Sequence, residues 1–214
     1  MNRKDVIIYA MNTEIKTITS WLGAGSLDIF GCPFSGKDTQ GKILAELFGG
    51  KLIGGGEILR SHKDPQKINR ILASGGIIPS DFYLDLMVPY LSRSNLRDMP
   101  LILSAVGRSH GEEPIIMKAA ADSGHPIKAV IFLNLSEAEV WARFQDAKII
   151  NDRGERADDS SEALKTRLIK FRDKTIPVIE FYRDKGLLLE VNGKLSVQEV
   201  TDGILQGLLK RSVE

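Results

Sequence analysis

The chain has 214 residues, 43% of them hydrophobic and 27% charged, enough for a full core in one large domain or one domain with insertions. Its 29 basic and 28 acidic residues leave a net charge of +1, which excludes a global attraction to nucleic acid or to an anionic membrane, so an anion must be held by local clustering of arginines. A single cysteine, Cys32, excludes an intramolecular disulfide and a cysteine-based zinc site, and with no charged-then-apolar leader and no membrane-length apolar run the expected location is the cytoplasm.

Residues 5 to 22 place Ile7, Ile8, Met11, Ile15, Ile18 and Leu22 on one helical face, with Asp5 as a start and Gly23 and Gly25 as a stop. This helix reads as a strut packed on a sheet, or as a face for a dimer or partner. Ser26-Leu27-Asp28-Ile29-Phe30 is a short buried strand. Gly31-Cys32-Pro33-Phe34-Ser35-Gly36-Lys37-Asp38-Thr39-Gln40 follows, and then a helix to Phe48 stopped by Gly49-Gly50.

Strand, glycine-bearing turn and helix is the setting of a phosphate-binding loop, in which unpaired N–H groups and the helix dipole favour an anion. Lys37 would reach the β- and γ-phosphates, and Thr39 would bring a hydroxyl near Mg²⁺. Asp38 stands between them, one position more than the strict motif allows. Cys32 reads as a small residue that fits the loop, or as a thiol whose oxidation would block it.

Lys51-Leu52-Ile53 predicts a second strand, and residues 55 to 95 read as helical with glycine breaks, a small lobe inserted between strands. Leu101-Ile102-Leu103 is the third strand, whose exit puts Arg108 just beyond its carboxyl end, where open α/β sheets bind ligands. Ala129 to Leu133 is the fourth strand. Ser136 and Glu139 form a capping box for a helix carrying Trp141, Arg143, Phe144 and Ala147. After the polar stretch 148 to 158, Asp159 with Glu162 starts a long helix to Lys185, kinked at Pro177. Leu187 to Val191 is the fifth strand, Asn192-Gly193 turns, and Ser196 to Arg211 closes as a helix. His62, His110 and His125 are expected on the surface or in turns. Short apolar strands separated by helices predict a parallel sheet covered on both faces.

From residue 25 onward the sequence resembles adenylate kinases and their nucleoside monophosphate kinase relatives. The phosphate loop, with its threonine one step late, resembles theirs. Gly56-Glu57-Ile58-Leu59-Arg60 is similar to the family's G-D-x-L-R segment, and Gly75 to Asp81 to its G-x-L-V-P-D turn with Ser80 as an extra residue. Arg108 matches the arginine of D-G-F-P-R, and Gly154-Glu155-Arg156-Ala157-Asp158-Asp159 with Arg167 resembles the short lid.

The resemblance implies a P-loop NTPase-type α/β fold with a five-stranded parallel sheet. The core would be residues 26–54, 100–143 and 168–214, after an N-terminal helical extension at 1–25. Residues 55–99 would form the monophosphate-binding lobe and 144–167 a short lid that closes and expels water. It implies transfer of the ATP γ-phosphate to a nucleoside monophosphate, AMP in the first instance, with Mg²⁺ and without zinc, by a monomer.

Lys37, Arg108, Arg156 and Arg167 would act on the transferring group. Gly31, Ser35, Gly36, Lys37, Asp38, Thr39, Gln40, Arg143, Gly193 and Lys194 would hold ATP. Gly55, Gly56, Arg60, Ile77, Ile78, Ala105, Arg108 and Glu112 would hold the acceptor, and Thr39 and Ser104 would meet the metal through water. Phosphoryl transfer spreads charge over the equatorial oxygens, so catalysis is positioning and electrostatics, and arginine suits it through its planar, always-charged fork. Asp159 reads as a helix cap, and no base is needed, because an acceptor phosphate oxygen is already an anion.

Four departures from the family's pattern stand out. Phe34 occupies a loop position that is usually glycine. Ser104 replaces an aspartate that organises the Mg²⁺ water shell, and Ala147 replaces a second arginine, with Lys148 or Arg153 as substitutes. Glu112 takes the place of the glutamine that reads adenine; as an acceptor-only carboxylate it suits guanine N1–H and the 2-amino group. Phosphorylation of GMP, or a nucleotide-binding module without turnover, are the alternative expectations.

Overall fold

The computed structural model describes residues 3–60, 80–150 and 160–213. The order is α1 (Arg3–Leu22), β1 (Ser26–Gly31), α2 (Lys37–Phe48), β2 (Lys51–Gly54), α3 (Gly55–Arg60), α4 (Ser80–Leu91), β3 (Leu101–Ser104), α5 (Glu113–Asp122), β4 (Ile127–Asn134), α6 (Glu137–Ile150), α7 (Ser161–Lys170), α8 (Ile176–Asp184), β5 (Leu188–Asn192) and α9 (Val197–Val213). The five predicted strands all appear, in the spatial order β2-β3-β1-β4-β5, and every pairing is parallel. β1 is central, flanked by β3 in the register Ile29↔Ser104 and by β4 in the register Gly31↔Leu133. Strand order therefore reverses around β1, which opens a crevice at its carboxyl end, directly under the phosphate loop.

Alternation along the strands builds two cores. Leu27 and Ile29 of β1, Ile102 of β3 and Ile131 and Leu133 of β4 pack with Ile18 and Leu22 of α1, Leu44 of α2 and Ile204 and Leu208 of α9. On the other face Phe30, Leu101, Leu103 and Val130 meet Ile58, Met87, Leu91, Ile116, Ile179 and Tyr182. Each fully buried aliphatic or phenyl side chain contributes roughly 1.5–3 kcal/mol, so both faces of the sheet are covered because both are apolar. The C-terminal turn of α1 joins the first of these cores through Ile18 and Leu22.

The predicted long helix from 159 to 185 is three pieces. Ser160 caps α7, its hydroxyl accepting from the Ala163 amide at 3.0 Å. After α7 comes a π-helical stretch at Phe171–Thr175, and then α8 with Pro177 in its first turn. Pro177 has no N–H for the carbonyl one turn back, and the widened stretch absorbs that defect. His125 lies in a turn as expected but is buried, 2% exposed, with Nδ1 at 2.7 Å from the Ala24 carbonyl; it ties the entry of β1 to the entry of β4. Asp159 and His62 lie outside the described residues.

Candidate active site

Gly31 ends β1, and the loop 32–36 carries the chain to the start of α2 at Lys37. Gly36, the residue before the helix, has φ +90°, a left-handed conformation that only glycine adopts without cost. Phe34 also lies in the left-handed region, at φ +64°. The backbone shape that a glycine would supply at 34 is therefore kept, at a cost of about 1–2 kcal/mol. In exchange the phenyl ring makes an edge-on contact with Phe144 of α6, centroids 5.6 Å apart, in a small cluster with Cys32, Val140 and Leu164. Cys32 is itself buried, and burial pushes its thiol up to about 11, which leaves it an unreactive spacer.

Lys37 is half-buried at the head of α2. Burial lowers its ammonium pKa, the adjacent Asp38 carboxylate raises it, and Arg167 and Arg108 lower it again. Both arginines therefore lie within electrostatic reach of the lysine, although they come from α7 and from the segment after β3. Arg108 is delivered by a tight exit in which Ala105 has φ +51° and Gly107 φ +68°. A Cβ on Gly107 would meet Ile116 Cγ1 at 2.5 Å, so no larger residue fits that turn. The Ala105 amide donates to the Ile29 carbonyl at 3.0 Å, fastening this turn to β1.

Ser104, the last residue of β3, donates from its hydroxyl to Oδ1 of Asp38 at 2.8 Å. Thr39 follows in the first turn of α2, exposed. One carboxylate and two hydroxyls thus stand at the phosphate loop, all hard oxygen donors. Ser35 is buried, and its hydroxyl finds no partner among the described residues. Gln40 is also buried, and its amide joins α2 to α9: Nε2 donates to the Val197 carbonyl at 2.9 Å, and Oε1 accepts from the Thr201 hydroxyl at 2.9 Å.

Arg143 of α6 reaches the same loop from the other side. Nη1 donates to the Phe34 carbonyl at 3.1 Å and Nη2 to the Gly193 carbonyl at 2.7 Å, so the guanidinium lies between the phosphate loop and the turn after β5. Gly193 in turn donates to the Asn134 carbonyl at 2.7 Å, and Lys194 Nζ pairs with Glu139 at 3.1 Å.

Glu112 is 4% exposed, and its Oε2 accepts from the Ser109 amide at 3.1 Å, which clamps the loop that follows Arg108. Gly55 and Gly56 open α3 and Arg60 ends it. Ile77, Ile78 and Arg156 lie outside the described residues, as do Arg153 and the stretch 154–159. Ala147 is on α6 as expected.

Sequence reasoning missed two groups. Thr175, at the end of the π-helical stretch and 5% exposed, donates from its hydroxyl to the Arg108 carbonyl at 3.1 Å. Asp28, in mid-strand and fully buried, accepts weakly from the Val106 amide at 3.4 Å, and its Oδ2 finds no partner among the described residues. Burial pushes the Asp28 carboxyl up to about 8, against backbone hydrogen bonds that pull it down. An aspartate inside an apolar strand run is a visible signal in the sequence; the threonine gives none.

Comparison with known proteins agrees with this arrangement. The family model described as adenylate kinase matches residues 29–187. An adenylate kinase of Parvibaculum lavamentivorans is 30% identical over 192 residues, covering 86% of this chain and 93% of that protein. One from Deinococcus deserti is 30% identical over 186 residues, 83% and 93% of the two chains. One from Azobacteroides pseudotrichonymphae is 29% identical, covering 85% and 95%. With a glycine-bearing strand–loop–helix at the head of a reversing parallel sheet, and the family pattern running through most of its length, the chain belongs to the adenylate kinase family of phosphotransferases.

Proposed function

We propose that this protein transfers the γ-phosphoryl group of ATP to AMP, giving two molecules of ADP, with Mg²⁺ accompanying ATP, as a cytoplasmic monomer. The observation that supports the reading is that Arg167 and Arg108, from two separate segments, both lower the pKa of the Lys37 ammonium at the head of α2. Positive groups that act on one another in this way repel, and a bound polyphosphate would relieve that repulsion. Their charges act where negative charge spreads in transfer, without reorganising at the moment of reaction.

Lys37 would hold the β- and γ-phosphates, assisted by the amides at the start of α2, while Arg167 and Arg156 would close on the transferring group. Arg108 and Arg60 would grip the acceptor phosphate. Arg143, Gly193 and Lys194 would border the adenine of ATP, and Ser35, Gly36 and Thr39 its phosphates. Residues 55–99 would serve as the acceptor lobe and 144–167 as the lid. The donor set of Asp38, Thr39 and Ser104 fits Mg²⁺, which takes few protein ligands and keeps its own water. When bound, that ion neutralises phosphate charge. AMP as acceptor is supported by the names of the relatives, and the turning of Glu112 onto the Ser109 amide supports a loop-clamping role over reading of a guanine edge.

A coupled assay of diphosphate formation across AMP, GMP, CMP and UMP tests this. AMP should be the best acceptor, and Lys37→Met should lose activity by at least a hundredfold. Preference for GMP would move the reading to the other acceptor. Tight binding of a bisubstrate dinucleotide with no turnover on any acceptor would reduce the protein to a binding module.

A further inference from the structure

Asp38 is the second residue of α2, directly after the phosphate-loop lysine, and it is exposed. A carboxylate at that point faces two opposed effects. The helix dipole favours it, while a polyphosphate on the same helix end repels it. Turning away into solvent would be the simplest escape. The side chain does not take it: Oδ1 accepts from the Ser104 hydroxyl at 2.8 Å, which draws the carboxylate across to the end of β3. Ser104 is 9% exposed and sits in register with Ile29 of the central strand, so this anchor is rigid.

A carboxylate fixed by a hydroxyl at the mouth of an anion site makes electrostatic sense when a divalent cation stands between the two anions. Mg²⁺ is commonly held in that way, by one or two carboxylates and substrate phosphates, with several waters retained. We propose that Asp38, oriented by Ser104, is the carboxylate that positions the water shell of the nucleotide-bound divalent ion, supplied from α2 where the end of β3 carries only a hydroxyl. The inference rests on the kinase reading for the identity of the nucleotide. Asp38 is on this account a positioning residue: it would hold waters of the ion, with the Thr39 hydroxyl beside them.

The test uses Mn²⁺ as the ion and ATP as the nucleotide, with the full chain. Electron paramagnetic resonance follows Mn²⁺ binding to the protein saturated with ATP, and calorimetry follows ATP binding in excess EDTA. Asp38→Asn keeps a hydrogen-bond acceptor for Ser104 and removes the charge. It should weaken Mn²⁺ binding in the ternary complex tenfold or more and leave metal-free ATP binding equal or tighter. Unchanged Mn²⁺ affinity overturns the proposal, and so does equal weakening of ATP binding with and without metal.

Should Asp38→Asn fail to fold, the exchanged pair Asp38→Gly with Ser104→Asp decides: Mn²⁺ affinity within threefold of wild type supports the proposal, and its loss overturns it. Turnover in the coupled assay is read separately. Absent turnover together with an Mn²⁺ response to Asp38→Asn sinks the kinase reading alone, whereas turnover with no such response sinks this inference alone.

Discussion

The hydroxyl of Thr175 donates to the carbonyl oxygen of Arg108 at 3.1 Å, across 67 residues of chain. Thr175 owes its position to the π-helical stretch that Pro177 imposes between α7 and α8. Because α7 also carries Arg167, the contact joins the helix of one arginine to the backbone of the other. Thr175→Val removes the hydroxyl at nearly constant volume, and the lost bond is worth about 1 kcal/mol. The expected result is a roughly fivefold rise in KM for AMP at saturating ATP, with Thr175→Ser close to wild type. Identical kinetics for the valine and serine variants would show that the bond does not position Arg108.

Arg143 spans two carbonyls, those of Phe34 and Gly193, with one planar fork. Lysine has one ammonium and cannot donate to both along those two directions. Arg143→Lys should therefore raise KM for ATP by about tenfold, the equivalent of one charge-assisted hydrogen bond, while KM for AMP changes less than twofold. Steady-state kinetics with each substrate varied in turn distinguish this from a general loss of fold, which would move both.

Phe34 reverses an ordinary expectation about glycine. At most positions glycine is less stable than alanine because it has more freedom to lose on folding. Residue 34 holds φ +64°, where alanine is strained and glycine is not. Both Phe34→Gly and Phe34→Ala lose the ring contact with Phe144, so the difference between them isolates the backbone. The glycine variant should be the more stable by up to about 1 kcal/mol in urea denaturation. Greater stability of the alanine variant would mean that the loop relaxes out of the left-handed region once the ring is gone.

Much of the fold is legible in the sequence because its signals are local. Runs such as Leu101-Ile102-Leu103 can satisfy only a buried strand, and Ser136 with Glu139 forms the capping box the spacing predicts, the hydroxyl and carboxylate 2.8 Å apart. Lys37 and Arg108 stand out by their loop positions, after a glycine turn and just beyond a strand end. What escaped depends on contacts between distant segments. The Asp38–Ser104 bond joins residues 66 apart, and the sequence alone leaves the carboxylate's direction open. The π-helical stretch shifts the phase of a helix whose composition is ordinary, so Thr175 carries no mark of its contact with Arg108. His125 resembles any turn histidine until the Ala24 carbonyl is seen at 2.7 Å.

Asp28 gives the protein a pH-dependent stability of definite sign. Its carboxyl titrates at about 8 in the folded chain, against 3.8 as the ordinary value, because burial disfavours the anion. Below the ordinary value the carboxyl is protonated in both the folded and unfolded chain, and folding incurs no charge penalty. Between about 4 and 8 the folded chain binds the proton more tightly, so stability falls as pH rises, and above about 8 the full penalty is present. Tyr182 takes no part in this window: burial first, and then Asp28 and Glu113, oppose its ionisation, so its hydroxyl stays protonated throughout. Asp28→Asn replaces the ionisable group with a neutral one of the same shape. The variant should gain on wild type as pH rises from 5 to 8, by on the order of a few kcal/mol over the window, read as the difference in urea midpoints at each pH. A constant difference across that window would mean that Asp28 keeps one protonation state throughout.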